Sequence, residues 1–185
     1  MSAVHLDHLE TLYASGDDPW GFRTSAYEQA KFRATRAALG RPAYSSTLEL
    51  GCGNGELARH IAPICGQYTG VDAVETALQA ARRAVPGGRF VKLFLPAPLP
   101  DGPHDLIILS EILYFLDPDG IRALAAQLDR RWPGAELLCV TWLGHSGNPL
   151  QGRDALDLFR AATPRGWHRA GGGARYRIDR AEGRA

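Results

Sequence analysis

The sequence predicts an α/β fold: a three-layer sandwich on a mostly parallel seven-stranded sheet, with an antiparallel edge strand and an N-terminal helical lid. Three observations predict it. From residue 47 onward short apolar runs alternate with helical patterns, which implies right-handed crossovers and a parallel sheet. A glycine-rich turn, Gly51-Cys52-Gly53-Asn54-Gly55, stands between the first such run and its helix. The run Leu106-Ile107-Ile108-Leu109 is continuously apolar, the pattern of a central parallel strand buried on both faces.

In chain order, Leu6, Leu9 and Leu12 recur at helical spacing until Ser15-Gly16-Asp17-Asp18-Pro19 interrupts them. After Trp20-Gly21-Phe22, Ser25 with Glu28 three residues on reads as a capping box. It opens a helix carrying Tyr27, Ala30, Ala34 and Ala38 on one side and ending at Gly40. Strands are expected at 47–50, 68–71, 90–94, 105–110 and 137–142, and helices at 55–64 and 74–85. Asp117-Pro118 supplies an N-cap and a first-turn proline for a helix bearing Ile121, Leu124 and Leu128. A short helix at 155–162 precedes a closing hairpin, 167–170 and 175–180 around Gly171-Gly172-Gly173. The order is Rossmann-like. At 185 residues it makes a single domain, with 1–42 as helical cap and 43–185 as core.

A net charge of +1 gives no reason to expect nucleic acid or an anionic membrane as partner. Lys31 and Lys92 are the only lysines among 21 basic residues, an arginine bias that lowers the weight of any single arginine. The arginines of the tail, from Arg160 to Arg184, are accordingly read as a solvated face and frayed end. Three cysteines without a C-x-x-C pair argue against a disulfide framework and for a reducing cytosol. The N-terminal residues lack the basic-then-apolar order of a secretory signal, and no run approaches the length of a membrane span. The six histidines show no metal-ligand spacing, so no metal is expected.

In such a sheet the ligand lies beyond the carboxyl ends of the strands, where the first strand turns into its helix. A dinucleotide fold spaces its glycines G-x-G-x-x-G to seat a pyrophosphate; here the spacing is Gly51-x-Gly53-x-Gly55. Asp72 ends the second strand, where an acid accepts hydrogen bonds from ribose hydroxyls. That position marks an adenosine-type ligand without choosing among them.

The loop resembles motif I of the class I S-adenosylmethionine-dependent methyltransferases, whose hallmark acid two positions before the first glycine is here Glu49. The resemblance implies that Gly51, Cys52, Gly53 and Gly55 accommodate the methionine part of S-adenosyl-L-methionine and that Glu49 orients it. Asp72, Ala73 and Ser110 belong to the same expected cofactor set. The segment Asp105-Leu-Ile-Ile-Leu-Ser-Glu111-Ile-Leu-Tyr114-Phe115-Leu116 is similar to the D-L-I-v-x-E-V-L-Y-Y-L segment of the nodulation protein S methyltransferases. Asp18-Pro19-Trp20 and Tyr27-Glu28 match that family's patterns too, and the likeness covers about residues 17–142. It implies methyl transfer to nitrogen of an amino-sugar oligosaccharide, with Trp20 and the following helix folding over the cofactor. Leu93-Phe94-Leu95 stands where many class I enzymes have an acid for adenine, so backbone groups and apolar packing are expected to hold the base.

Methyl transfer is an in-line displacement, so the protein has to align the reactants, exclude water and manage one proton. Glu111 and Tyr114 follow the fourth strand and are the candidate catalytic pair: Glu111 receiving or orienting the acceptor amine, Tyr114 shaping its approach. The blander alternative makes Glu111 a structural cap or pair and Tyr114 a core residue. Trp20 and Phe22 read as a lid, with Arg23 reaching the cofactor carboxylate, or as plain core anchors. His145 reads as a substrate contact or base, or more plainly as a solvated loop residue. The leading function is an N-methyltransferase for a small-molecule or oligosaccharide amine. The competing ones are an O-methyltransferase, a nicotinamide-dependent oxidoreductase and a non-catalytic cofactor-binding module.

Overall fold

The computed structural model describes residues 3–184. The sheet has seven strands: β1 (Tyr44–Leu50), β2 (Cys65–Asp72), β3 (Arg89–Lys92), β4 (Leu106–Ser110), β5 (Glu136–Trp142), β6 (Trp167–Gly172) and β7 (Tyr176–Ala181). Their spatial order is β3-β2-β1-β4-β5-β7-β6. The first five run parallel, and β7 pairs antiparallel with β5 on one side and with β6 on the other. The strand order reverses between β1 and β4, so the crevice for a ligand opens at the ends of these two strands.

Alternation along the central strands explains the three layers. In β4, Ile107 and Leu109 join one buried apolar cluster, whereas Leu106 and Ile108 join the other. The first cluster takes Ile121, Leu124 and Leu128 from α5 (Pro118–Arg131) and Leu156 and Phe159 from α6 (Gly152–Ala161). The second takes Leu57 and Ile61 from α3 (Glu56–Ile61) and Leu78 and Ala81 from α4 (Glu75–Ala84). A strand with apolar residues on both faces cannot be left half-solvated, which is why the unbroken run marks a centre strand.

Two helices precede the sheet: α1 (Leu6–Leu12) and α2 (Ala26–Ala37). Leu6, Leu9 and Leu12 pack with Tyr13 against Ala73, Val74 and Ala77 and so cover the end of β2. The buried positions of α2 are Lys31, Phe32 and Thr35; of the side carrying Tyr27, Ala30, Ala34 and Ala38, Ala38 at the helix end is buried and Ala34 packs partly against the second cluster, while Tyr27 and Ala30 are exposed. The capping box is half made: the Ser25 hydroxyl accepts the Glu28 N–H at 3.3 Å, while the Glu28 side chain turns to Lys31.

The hairpin supplies the expected antiparallel edge: the last strand, β7, inserts beside β5 and runs antiparallel both to it and to β6, which takes the rim. The arginine-rich tail is a solvated face only in part: Arg169, Arg175 and Arg184 are exposed, but others turn inward. Arg165 is buried and donates to the carbonyls of Ala135 and Trp132, while Arg160 and Arg177 pair with the fully buried Asp179.

Candidate active site

The turn after β1 is held open by backbone geometry. Gly51, Gly53 and Gly55 have φ of 75°, 52° and 83°, a region that costs an ordinary residue about 1–2 kcal/mol. The Val71 carbonyl accepts the N–H groups of Gly51 and Cys52, at 2.9 and 3.0 Å, which ties the turn to β2. Asp72 completes the tie. Its Oδ2 accepts the Gly53 N–H at 2.9 Å and its Oδ1 the Val74 N–H at 3.0 Å, leaving each oxygen a further lone pair. Burial raises the Asp72 carboxyl above its ordinary value against these stabilising amides.

Beyond the turn lies a cavity of about 420 Å³, within the size range of small-molecule sites. Its walls bring together most of the expected residues. Gly51, Cys52, Gly53, Asp72 and Ala73 line the turn side, Glu49 the floor, and Ser110, Glu111 and Tyr114 the rim after β4. Trp20 lines it from the N-terminal segment. Glu49 is 1% exposed, and the Tyr68 hydroxyl donates to it; burial, then the Asp72 charge, pushes its carboxyl up to about 8. Leu93, Phe94 and Leu95 supply an apolar wall after β3.

Two expected residues lie elsewhere. Gly55 faces away from the cavity: a Cβ there would stand 2.8 Å from the backbone of Ala81, so this glycine serves the close packing of α3 on α4. Arg23 pairs with Asp17 at 2.7 Å and lies 3.9 Å from Glu56 on the outer side of the lid. It is not a cavity residue because Asp17 and Glu56 both draw the guanidinium outward.

The lid is tied down through Asp18. Its Oδ1 accepts the Phe22 N–H at 2.7 Å and the Asn54 amide at 2.9 Å, and its Oδ2 accepts the Arg23 N–H at 3.1 Å. One carboxylate thereby couples the Trp20 segment to the glycine turn. Tyr13, Trp20, Phe22 and Phe32 form a chain of rings at centroid distances of 5.4, 5.5 and 5.7 Å.

At the rim, Glu111 adopts φ 54°, a conformation rarely taken by residues other than glycine, asparagine and aspartate and concentrated at functional sites. Its N–H donates to the Val140 carbonyl at 2.8 Å, and Lys31 reaches its Oε1 at 2.6 Å. Burial raises the Glu111 carboxyl, and the Lys31 charge pulls the other way. Tyr114 is buried, and that burial, followed by the Glu111 charge, raises its hydroxyl so that it stays protonated. Exposed His145 lines the cavity mouth, its Nδ1 accepting the Gly147 N–H at 3.2 Å.

The model of the nodulation protein S (NodS) family matches residues 5–128, more than half of the chain. The chain belongs to the NodS family. Nodulation protein S of Sinorhizobium fredii is 27% identical over 125 residues, covering 63% of this chain and 56% of that protein. The chain spans about half the length of the curated relatives it matches. The N-methyltransferase NodS of Bradyrhizobium japonicum WM9, solved in complex with S-adenosyl-L-homocysteine, shares the fold with a TM-score of 0.80. That match has 21% identity and covers 96% of this chain and 97% of that one. A protein from Pseudomonas syringae gives 0.72 at 29% identity over 85% and 99%.

For this NodS family member, sequence reasoning missed Tyr13 and Trp142 as cavity residues, and Lys31 with them. The apolar ones carried no signal, since an aromatic residue in a wall reads like one in a core. Lys31 did carry one: a lysine kept in an arginine-rich chain, three residues after Glu28 on the face that turns inward.

Proposed function

We propose that this protein is a cytoplasmic S-adenosylmethionine-dependent methyltransferase acting on an amine of a small molecule or oligosaccharide. The observation that carries the reading is a single cavity running from the glycine turn and Asp72 to the Glu111 rim. The lining suits this cofactor. Beside Glu49, which holds its proton, its acidic groups are Glu28, Glu56, Asp72 and Glu111 against Lys31, a negative surface that favours a cationic sulfonium and ammonium and disfavours a pyrophosphate. In this reading Asp72 accepts from the ribose hydroxyls, Glu49 faces the methionine end, Trp20 closes over it, and Leu93 and Phe94 flank adenine. When bound, the cofactor supplies a methyl on positive sulfur: the acceptor lone pair forms the new bond to carbon, the carbon–sulfur pair returns to sulfur, and the charge ends on the acceptor.

An amine suits the rim because it reacts as a neutral group and leaves as a cation, which Glu111 is placed to stabilise. Tyr114, held protonated, donates a hydrogen bond and shapes the approach. Glu111→Gln is expected to cut turnover while S-adenosylhomocysteine affinity stays nearly the same; unchanged turnover removes Glu111 from the chemistry. The exposed imidazole of His145 favours a second reading, a hydroxyl acceptor whose proton His145 takes. Methylation of an alcohol but not of its amine analogue would choose it.

Thermal unfolding beside S-adenosylhomocysteine, S-adenosylmethionine and NADH tests the cofactor. A ligand at 100 times its Kd stabilises by about 2.7 kcal/mol. Stabilisation by NADH alone overturns the proposal.

A further inference from the structure

Lys31 sits where a lysine is costly to keep. It is 2% exposed, lines the cavity, and is the sole basic side chain of the lid helix directed into it. Its Nζ lies 2.6 Å from Glu111 Oε1 and 2.7 Å from Glu28 Oε2. Glu28 Oε2 is itself buried and has no hydrogen-bond partner beyond that ammonium among the described residues. A buried ion pair is seldom the most stable filling of its space, since apolar residues of similar volume do as well or better. A further local concession meets at the same point: Glu111 accepts a left-handed backbone conformation.

We propose that Lys31 is a positioning residue of the acceptor site: its one ammonium holds the carboxylates of Glu28 and Glu111 together and leaves the cluster one negative charge in excess, matched to the single positive charge that an acceptor nitrogen gains. The proposal rests on the methyl-transfer reading above and names the part of the site that selects a nitrogen acceptor.

The charge count follows from proximity. Two carboxylates crowded into one site without a cation do not both ionise; one takes up a proton. Lys31 between them offsets their mutual repulsion, and two carboxylates against one ammonium leave one negative charge in excess. Burial opposes the Lys31 charge, but Glu111 and Glu28 outweigh it and the ammonium stays protonated, so its nitrogen is neither a base nor a methyl acceptor. The other titratable groups around the cluster are Tyr27 on α2, Tyr114 after β4, His145 after β5, and Tyr176 of β7 against Tyr27. Both Tyr27 and Tyr114 are held above the ordinary phenol value, chiefly by burial, and add no charge.

The test is a carbon-13 titration of glutamate side-chain carboxyls in the ligand-free protein, with Glu111 assigned by loss of its signal in Glu111→Gln. In Lys31→Met the Glu111 midpoint is expected to rise by about 1 pH unit or more, the size of a close ion-pair effect. Lys31→Arg is expected to restore most of it. An unmoved midpoint in Lys31→Met overturns the proposal. Should Lys31→Met fail to fold, Glu28→Gln decides: it keeps the Ser25 cap, and the Glu111 midpoint must fall because the ammonium is no longer shared. An unchanged midpoint there overturns the shared cluster.

In a methylation assay with a deacetylated chito-oligosaccharide as the amine probe, Glu28→Gln is expected to lower kcat about tenfold while KM for S-adenosylmethionine stays within about twofold. Wild-type kcat in that variant overturns the charge match. Failure of S-adenosylhomocysteine to stabilise the wild type sinks the methyltransferase reading instead, and the titration distinguishes the two failures.

Discussion

At the scale of single residues, Glu49 and Asp72 are the sharpest probes of the cavity. Glu49 is pushed from an ordinary 4.5 up to about 8, so the folded protein holds its proton where the unfolded chain has released it. A group raised in this way contributes stability that is full below the unfolded value and is lost as pH rises through the folded one. Stability of the wild type relative to Glu49→Gln is therefore expected to fall between pH 5 and 8 in urea titrations; a constant difference would mean that Glu49 is already ionised in the native state. Asp72 has the opposite task, presenting free lone pairs while two backbone amides hold it still. Hydrogen bonds to a charged group contribute about 1.5–3 kcal/mol each. Asp72→Ala should thus weaken S-adenosylhomocysteine binding about 100-fold or more by calorimetry. Asp72 was marked in the sequence by its place at a strand end, and Glu49 by the resemblance of the loop to motif I of the class I methyltransferases.

At the scale of elements, the lid is a segment governed by one carboxylate. Asp18→Ala releases two backbone N–H groups and the Asn54 side chain at once. Hydrogen exchange over residues 18–25 is expected to speed up at least tenfold, a loss of about 1.4 kcal/mol in local opening free energy. Unchanged protection there would show that ring packing alone holds the lid. The sequence singled out the Trp20 region but not its latch: Asp18 meets Asn54 across 36 residues, and no local pattern announces such a meeting. The same holds for α2. Ser25 capped its helix as spacing predicts. Its inward face was not legible, because alanines mark neither side, whereas Phe32 and Lys31 obey partners on the sheet and rim. Arg23 was misassigned for a related reason, since its acidic partners, Asp17 and Glu56, settle its direction only once the lid is folded.

For the whole molecule, stability resides in strands packed on both faces. Ile108 is fully buried between sheet neighbours and the helix layer of the second cluster. Ile108→Ala is expected to cost about 2–5 kcal/mol in denaturant unfolding, the range for large-to-small core changes. A cost below about 1 kcal/mol would show a core free to collapse into the space. The sheet order, with β7 between β5 and β6, also explains the buried Asp179 and its arginines, which bind the closing hairpin into the domain.

What the sequence determined by itself was whatever short-range chemistry encodes: the alternation of strands and helices, the glycine turn with its positive φ, and the acids at fixed distances along β1 and β2. Only the tertiary structure decided which side chains share the cavity, that Gly55 packs a helix instead of lining it, and that Lys31 closes on Glu111 across 80 residues. The physical reason is that backbone geometry is set by neighbours in the chain, whereas a buried charge finds its partner only where packing delivers one.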